Sequence, residues 1–198
     1  DFTSAVTGPI TLTANYSLDT HTITYINDGG TLTGEYPESY DYEHSVNLPT
    51  PTKQGYDFDG WMVTGSSEII SPEIPIHSTG NKSFTAHYTP KTNTQYKVIR
   101  RYQNLNNDEY TEEAPEIYYG TTDDIIEIEY NTPVGFKDPT TSKTLTILPD
   151  GSAEKVYEYD RHTYLYTFNS NGYNATSSLA TGTYKYGTEI TLTAGEEE

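Results

Sequence analysis

The sequence predicts a mainly β protein built of tandem small domains, with little helix. Three observations carry that expectation: a composition rich in Tyr and Thr, short alternating segments bounded by turn residues, and an internal repeat. The chain has 198 residues, of which 33% are hydrophobic and 20 are Tyr. A tyrosine buries a large ring while its hydroxyl stays wet or bonded, so the thin aliphatic supply understates the core. Tyr and Thr suit pleated, half-buried surfaces. This aromatic content also argues against disorder.

The formal net charge is −18. Such a surface repels phosphate backbones and anionic lipid, so neither nucleic acid nor membrane is an expected partner. Its simplest use is solubility. Cysteine is absent, which excludes a disulfide framework, thiol catalysis and Cys-based zinc sites. No apolar run approaches membrane-spanning length. The chain opens in mid-pattern at Asp1-Phe2-Thr3 and closes on Glu196-Glu197-Glu198, so both ends read as cut from something longer.

The repeat is carried by three echoes. T-G-P-I-T-L-T-A-N-Y (Thr7 to Tyr16) matches T-G-N-K-S-F-T-A-H-Y (Thr79 to Tyr88) without a gap, 72 positions on. T-H-T-I-T-Y-I-N-D-G (Thr20 to Gly29) matches T-Y-L-Y-T-F-N-S-N-G (Thr163 to Gly172), 143 positions on. Tyr42, Val46 and Leu48 match Tyr186, Ile190 and Leu192. The offsets are close to one period and two periods. The chain therefore divides into residues 1–17, the closing strand of a preceding unit; 18–90, a whole unit; 91–161, a second, diverged unit; and 162–198, the opening strands of a further one. Very short junctions favour an elongated array.

Within a unit, Thr20 to Tyr25 alternates as a strand and ends at the turn residues Asn27 to Gly30. Tyr42 to Leu48 reads as a strand ended by Pro49 and Pro51. Tyr96 to Tyr102 and Tyr110 to Tyr118 read as strands. Asp123 to Tyr130 reads as a strand or a single helical turn. Thr144 to Leu148, Pro149 to Ser152 and Ala153 to Tyr159 read as a hairpin with its turn. In Gly55-Tyr56-Asp57-Phe58-Asp59-Gly60-Trp61, Tyr56 and Phe58 share a face, Gly60 lets the backbone turn, and Trp61 is the expected core plug.

These residues resemble the Listeria–Bacteroides repeat, the B-repeat of internalin B type. The family pattern is a first strand ending in an Asn/Gly turn (here Tyr25 to Gly30), a proline (Pro51), G-Y-x-F-x-G-W (Gly55 to Trp61) and a closing T-G-x-x-x-L-x-A-x-W/Y strand (Thr79 to Tyr88, with Phe84 at the Leu place). The resemblance implies a β-grasp-like (ubiquitin-like) fold for residues 20–89. It also implies a secreted, cell-surface or cell-wall-attached location on a Gram-positive bacterium, with a spacer or adhesive role. Residues 91–161 resemble mucin-binding-protein-like repeats through Tyr96 to Leu105, Gly120 to Thr122, Gly135-Phe136 and Asp150-Gly151-Ser152. No Trp follows Gly135-Phe136.

No enzymatic signature, cofactor motif or metal-ligand spacing is present, so no catalytic residue and no cofactor is expected. The five histidines are expected at solvated or edge positions. Asp57/Asp59 and Asp123/Asp124 are carboxylate pairs without an EF-hand frame. Lys97 is the strand lysine placed to be tested for an isopeptide bond. The candidate ligand contacts are Tyr36, Tyr40 and Tyr42, whose rings either stack on a sugar or pair across strands. Tyr56, Phe58, Trp61 and Phe84 are the expected structural core. The expected function is a non-catalytic spacer or adhesive module that meets a protein or glycan on a host or neighbouring cell. The alternative is a carbohydrate-binding module of a polysaccharide-processing protein. Residues 9–17 are expected to form a strand and 163–193 opening strands, and either the first docks head to tail on the second of another molecule or each packs on its neighbouring whole unit.

Overall fold

The computed structural model describes residues 7–70 and 72–195. They form strands and turns with no helix among the described residues. The protein is thus mainly β. It divides into two compact units, residues 1–53 with 57–89 and residues 54–56 with 90–198.

The first unit contains β1 (Thr20–Ile26), β2 (Ser39–Asp41), β3 (Val46–Asn47), β4 (Tyr56–Val63), β5 (Ile69–Ile70), β6 (Glu73–Ile74) and β7 (Lys82–Pro90). Its sheet has the order β2-β1-β7-β4-β5. β1 lies between β2 and the central β7, antiparallel to β2 and parallel to β7, with Ile23 opposite Lys82 and Tyr25 opposite Phe84. A parallel pair cannot be closed by a tight hairpin, so the chain crosses over between β1 and β7 through β2 to β6. β4 and β7 run in opposite senses: Thr64 meets Ser83 and Thr85, while Asp59 meets His87 and Thr89. β1 alternates outward Thr with inward Ile23 and Tyr25.

One core follows from that alternation. Ile23, Tyr40, Leu48, Trp61, Ile74, Phe84 and Ala86 are buried together, with Tyr25, Phe58 and Tyr88 packed against them. Strict period 2 along β4 would put Phe58 and Trp61 on opposite faces, yet both turn inward. The change of phase falls at Gly60, whose φ of +147° is a conformation that side chains rarely adopt. Trp61 is fully buried; its ring lies 5.2 Å from Tyr25 and 5.5 Å from Phe58, and its Nε1 donates to Pro49 O at 2.7 Å. The one polar atom of the plug is thereby satisfied.

The second unit contains β8 (Thr94–Gln103), β9 (Tyr110–Glu112), β10 (Glu116–Gly120), β11 (Ile125–Glu127), β12 (Thr144–Thr146) and β13 (Glu154–Tyr159). It continues through β14 (Thr163–Tyr166), β15 (Ala175–Ser177), β16 (Gly182–Lys185) and β17 (Leu192–Ala194). β8 is its central strand, antiparallel to β9 and β10 and parallel to β13. The parallel pair β8/β13 corresponds to the parallel pair β1/β7 of the first unit. Between β9 and β10, one extra residue stands opposite β8 at Glu113-Ala114-Pro115, where Pro115 has no N–H to give the ladder. Val98, Tyr157 and Tyr159 form the core.

Charge pairs stitch this sheet. Arg101 reaches Glu112 on β9 and Glu158 on β13, Arg100 reaches Glu116 at 2.5 Å, and Lys97 reaches Glu154 at 3.2 Å. A cationic central strand between acidic neighbours is the favourable cross-strand arrangement in an acidic chain.

Three expectations fail. The strand expected over Tyr42 to Leu48 forms only at Val46–Asn47, because the chain bends at Tyr42 to His44. The turn at Pro149 to Ser152 forms, with Gly151 N bonded to Leu148 O, but its flanks do not pair as a hairpin. β12 pairs with β11 and β13 with β8, because the closing strand's parallel partner is the opening strand. The strand expected over residues 9–17 does not form: residues 7–19 lie outside any strand, with Ile10, Leu12, Tyr16 and Leu18 exposed. A strand without a partner has no ladder to hold it.

Candidate binding surfaces

The three candidate ligand tyrosines do not form one strip. Tyr40 is 3% exposed; it faces the core from β2, and its hydroxyl donates to Gly80 O at 2.5 Å. Asp41 then accepts from the backbone N–H groups of Glu43 and His44, and from the His44 ring at 2.8 Å. This turn takes Tyr42 out of the sheet, where it is 42% exposed and tilted against His77 at 4.8 Å. Tyr36 is 36% exposed, with its edge set at 88° to the Tyr25 ring. Burial, then the neighbouring Tyr36 and Glu38, push the Tyr25 phenol up to about 12.

The expected core residues are placed unequally. Trp61 and Phe84 are buried, Phe58 packs on them, and Tyr56 at the start of β4 is half-buried and outside that cluster. Alternation puts Tyr56 on the face of Phe58, but at the first position of β4 it stays outside the buried group.

Asp59, Thr89 and His87 meet between β4 and β7. Thr89 Oγ1 donates to Asp59 Oδ2 at 2.6 Å, and His87 Nδ1 lies 2.9 Å from the same oxygen. These bonds, Thr89's the larger, hold the Asp59 carboxyl below its ordinary range. A hydroxyl nucleophile needs the imidazole as its base; here the carboxylate stands between them. Among the described residues, no cluster of three or more His, Asp or Glu is placed to hold a metal ion.

Lys97 is half-exposed and faces Glu154. The buried lysine is Lys155, 6% exposed, which donates to Thr144 O at 3.0 Å. Its signal was in the alternation, since Lys155, Tyr157 and Tyr159 share one face of β13.

The second unit has a cavity of about 370 Å³ whose lining includes Arg100, Tyr102, Glu113, Glu116, Glu129 and Tyr130. Arg100 is held by Glu116, which also accepts from Tyr118 at 2.6 Å. Tyr102 stacks on the buried Tyr159 at 5.0 Å. The Tyr159 hydroxyl is buried beside Arg100, and burial, the larger effect, pushes its phenol up. Aromatic faces beside carboxylate, amide and guanidinium groups are able to orient a small polar ligand.

Sequence reasoning passed over this cavity because its lining comes from β8, the β9–β10 edge and the segment after β11, which are far apart in the chain. The family profile of the Listeria-Bacteroides repeat domain, a repeat found in bacterial surface proteins, matches residues 21–87. No curated protein matches the chain.

Proposed function

We propose that this chain, with a Listeria-Bacteroides repeat domain over residues 21–87, is a non-catalytic spacer and adhesive segment of a secreted bacterial surface protein. The observation that carries the reading is the coincidence of the matched residues with one self-contained core: Ile23, Trp61, Phe84 and Ala86 all lie inside the match and are buried together. The order β2-β1-β7-β4-β5, with β1 and β7 parallel, supports a β-grasp-like unit that has strands and loops in place of the crossover helix. The parallel pairing of β8 with β13 supports residues 91–161 as a second unit of related plan. Attachment to the cell wall and presentation of a distal domain to a host or neighbouring cell complete the proposal.

A domain swap tests it. Residues 18–161 of the surface protein are replaced by an unrelated rigid repeat of equal length. Unchanged attachment of the cells assigns the segment a spacer role. Lost attachment with intact surface display assigns it the adhesive contact. Failure of the original protein to reach the cell surface overturns the proposal.

A second reading, a carbohydrate-binding module, draws on the Tyr102/Tyr130 cavity with its polar lining. A glycan array separates the two, since a module of this kind retains a defined sugar and loses it on Tyr102→Ala.

A further inference from the structure

We infer that β10 of the second unit takes up an extended segment of another protein, pairing with its backbone while a lysine or arginine of that segment enters the acidic cavity between Glu113 and Glu116. The inference concerns the second unit alone and does not rest on the surface-module reading. β10 (Glu116–Gly120) ends its sheet: the order is β10-β8-β13, with β9 on the same side of β8 as β10. Alternate residues of an antiparallel strand aim their N–H and C=O groups away from the partner. On β10 those groups meet no strand among the described residues.

Sheet edges are commonly blunted by short length, charge or proline. In the first unit the edge strands are short: β2 has 3 residues and β5 has 2. β10 has 5, and after Glu116 its run Ile117-Tyr118-Tyr119-Gly120 holds neither a charge nor a proline. Ile117, Tyr118 and Tyr119 are 44%, 42% and 64% exposed. Open backbone groups flanked by β-branched and aromatic side chains are a template for strand addition.

The cavity fixes the chemistry of the partner. It takes Glu113 and Glu116 from either side of the extra residue that interrupts the β9–β10 edge. Its charged lining is one cation, Arg100, against three carboxylates, Glu113, Glu116 and Glu129. Glu116 answers Arg100, and Lys143 answers Glu129. Glu113 forms no ion pair among the described residues. Burial, then the Glu113 carboxylate, push the Tyr102 phenol up, so that charge is felt inside the cavity. The ring faces are already engaged: Tyr159 stacks on Tyr102, and the Lys143 ammonium lies over Tyr130 at 5.1 Å. The cavity therefore offers carboxylate and phenol oxygens, which suit a long basic side chain better than a flat sugar face. A second copy of the chain is the poorer occupant. The net charge of −18 sets two copies against each other and draws a basic segment.

The probe is a fluorescent acetyl-Thr-Val-Lys-Val-Thr-amide peptide titrated into the full chain. Anisotropy reads binding, and amide hydrogen exchange reads β10. The peptide is expected to bind and to protect the amides of residues 117–120. Glu113→Lys should weaken binding by about tenfold or more, the loss of one charge-assisted bond. Its melting curve should match the parent's, because Glu113 is exposed. N-methylation of alternate peptide bonds in the probe should weaken binding as much, which charge attraction alone does not require. A probe with Glu in place of Lys should not bind. Absence of binding at about 1 mM peptide overturns the proposal. So does equal binding of the N-methylated probe, or binding that survives Glu113→Lys. Protection of β10 that rises with chain concentration alone also overturns it, since a second copy is then the occupant. None of these failures bears on where the protein resides.

Discussion

Trp61→Ala removes the side chain on which the first core is built. The ring is fully buried, contacts Tyr25 and Phe58, and donates to Pro49 O. A buried Trp takes roughly 200 Å² out of water, which at about 25 cal/mol/Å² is about 5 kcal/mol. Measured aromatic-to-Ala truncations in cores cluster at about 3–5 kcal/mol. A unit of roughly 70 residues has only about 4–10 kcal/mol in total. The substitution therefore removes most of the first unit's stability, and its transition falls by roughly 15–30 °C. Thermal and urea unfolding followed by circular dichroism are the assays. They should show the loss in one transition, with the transition carried by the Val98, Tyr157 and Tyr159 core unmoved. Trp61→Phe keeps a ring and loses the bond to Pro49, at a cost of about 1–3 kcal/mol. A Trp61→Ala protein melting within a degree or two of the parent would refute the role assigned to this residue.

Two further outcomes follow from the same packing. Gly60→Ala is expected to cost roughly 1–3 kcal/mol, since the added Cβ meets Ile69 Cγ2 at 2.5 Å with φ at +147°; adding Ile69→Ala should recover only the contact part, and full recovery in urea titrations would mean that φ is not strained. In alkali, Tyr25 and Tyr110 are held up to about 12 against an ordinary 10.0, Tyr25 mainly by burial and Tyr110 mainly by its hydrogen bond to Asp160. Because the folded value is the higher, their contribution is complete below pH 10.0 and is lost as pH rises through about 12. Phenolate absorbance should therefore lag the simple curve and then rise with unfolding; every tyrosine titrating near 10 in a folded chain would contradict this.

What was legible in the sequence was local. The alternation of Thr20 to Tyr25, the turn at Asn27 to Gly30 and the G-Y-x-F-x-G-W segment mark their positions through period and turn chemistry alone. The long-range pairings were not legible. Pro149 to Ser152 carries a sound turn signal, but a turn does not say which strands it joins, and β13 goes to β8. Tyr40 and Tyr42 have the same parity, yet the Asp41 turn separates their fates. Gly60 was marked as a turning point, but the phase change that brings Phe58 and Trp61 to one side shows only in the backbone. Lys155 was overlooked because lysine is read as exposed even when its parity matches Tyr157 and Tyr159. The aromatic cavity draws on three distant segments and left no local trace.

The most direct test of the surface-module reading is made on intact cells of the organism that makes the protein. Antibodies raised against residues 18–161 should label unpermeabilised cells, and brief external proteolysis should release that epitope without lysis. An epitope that is reached by neither antibody nor protease until the cells are opened would contradict it.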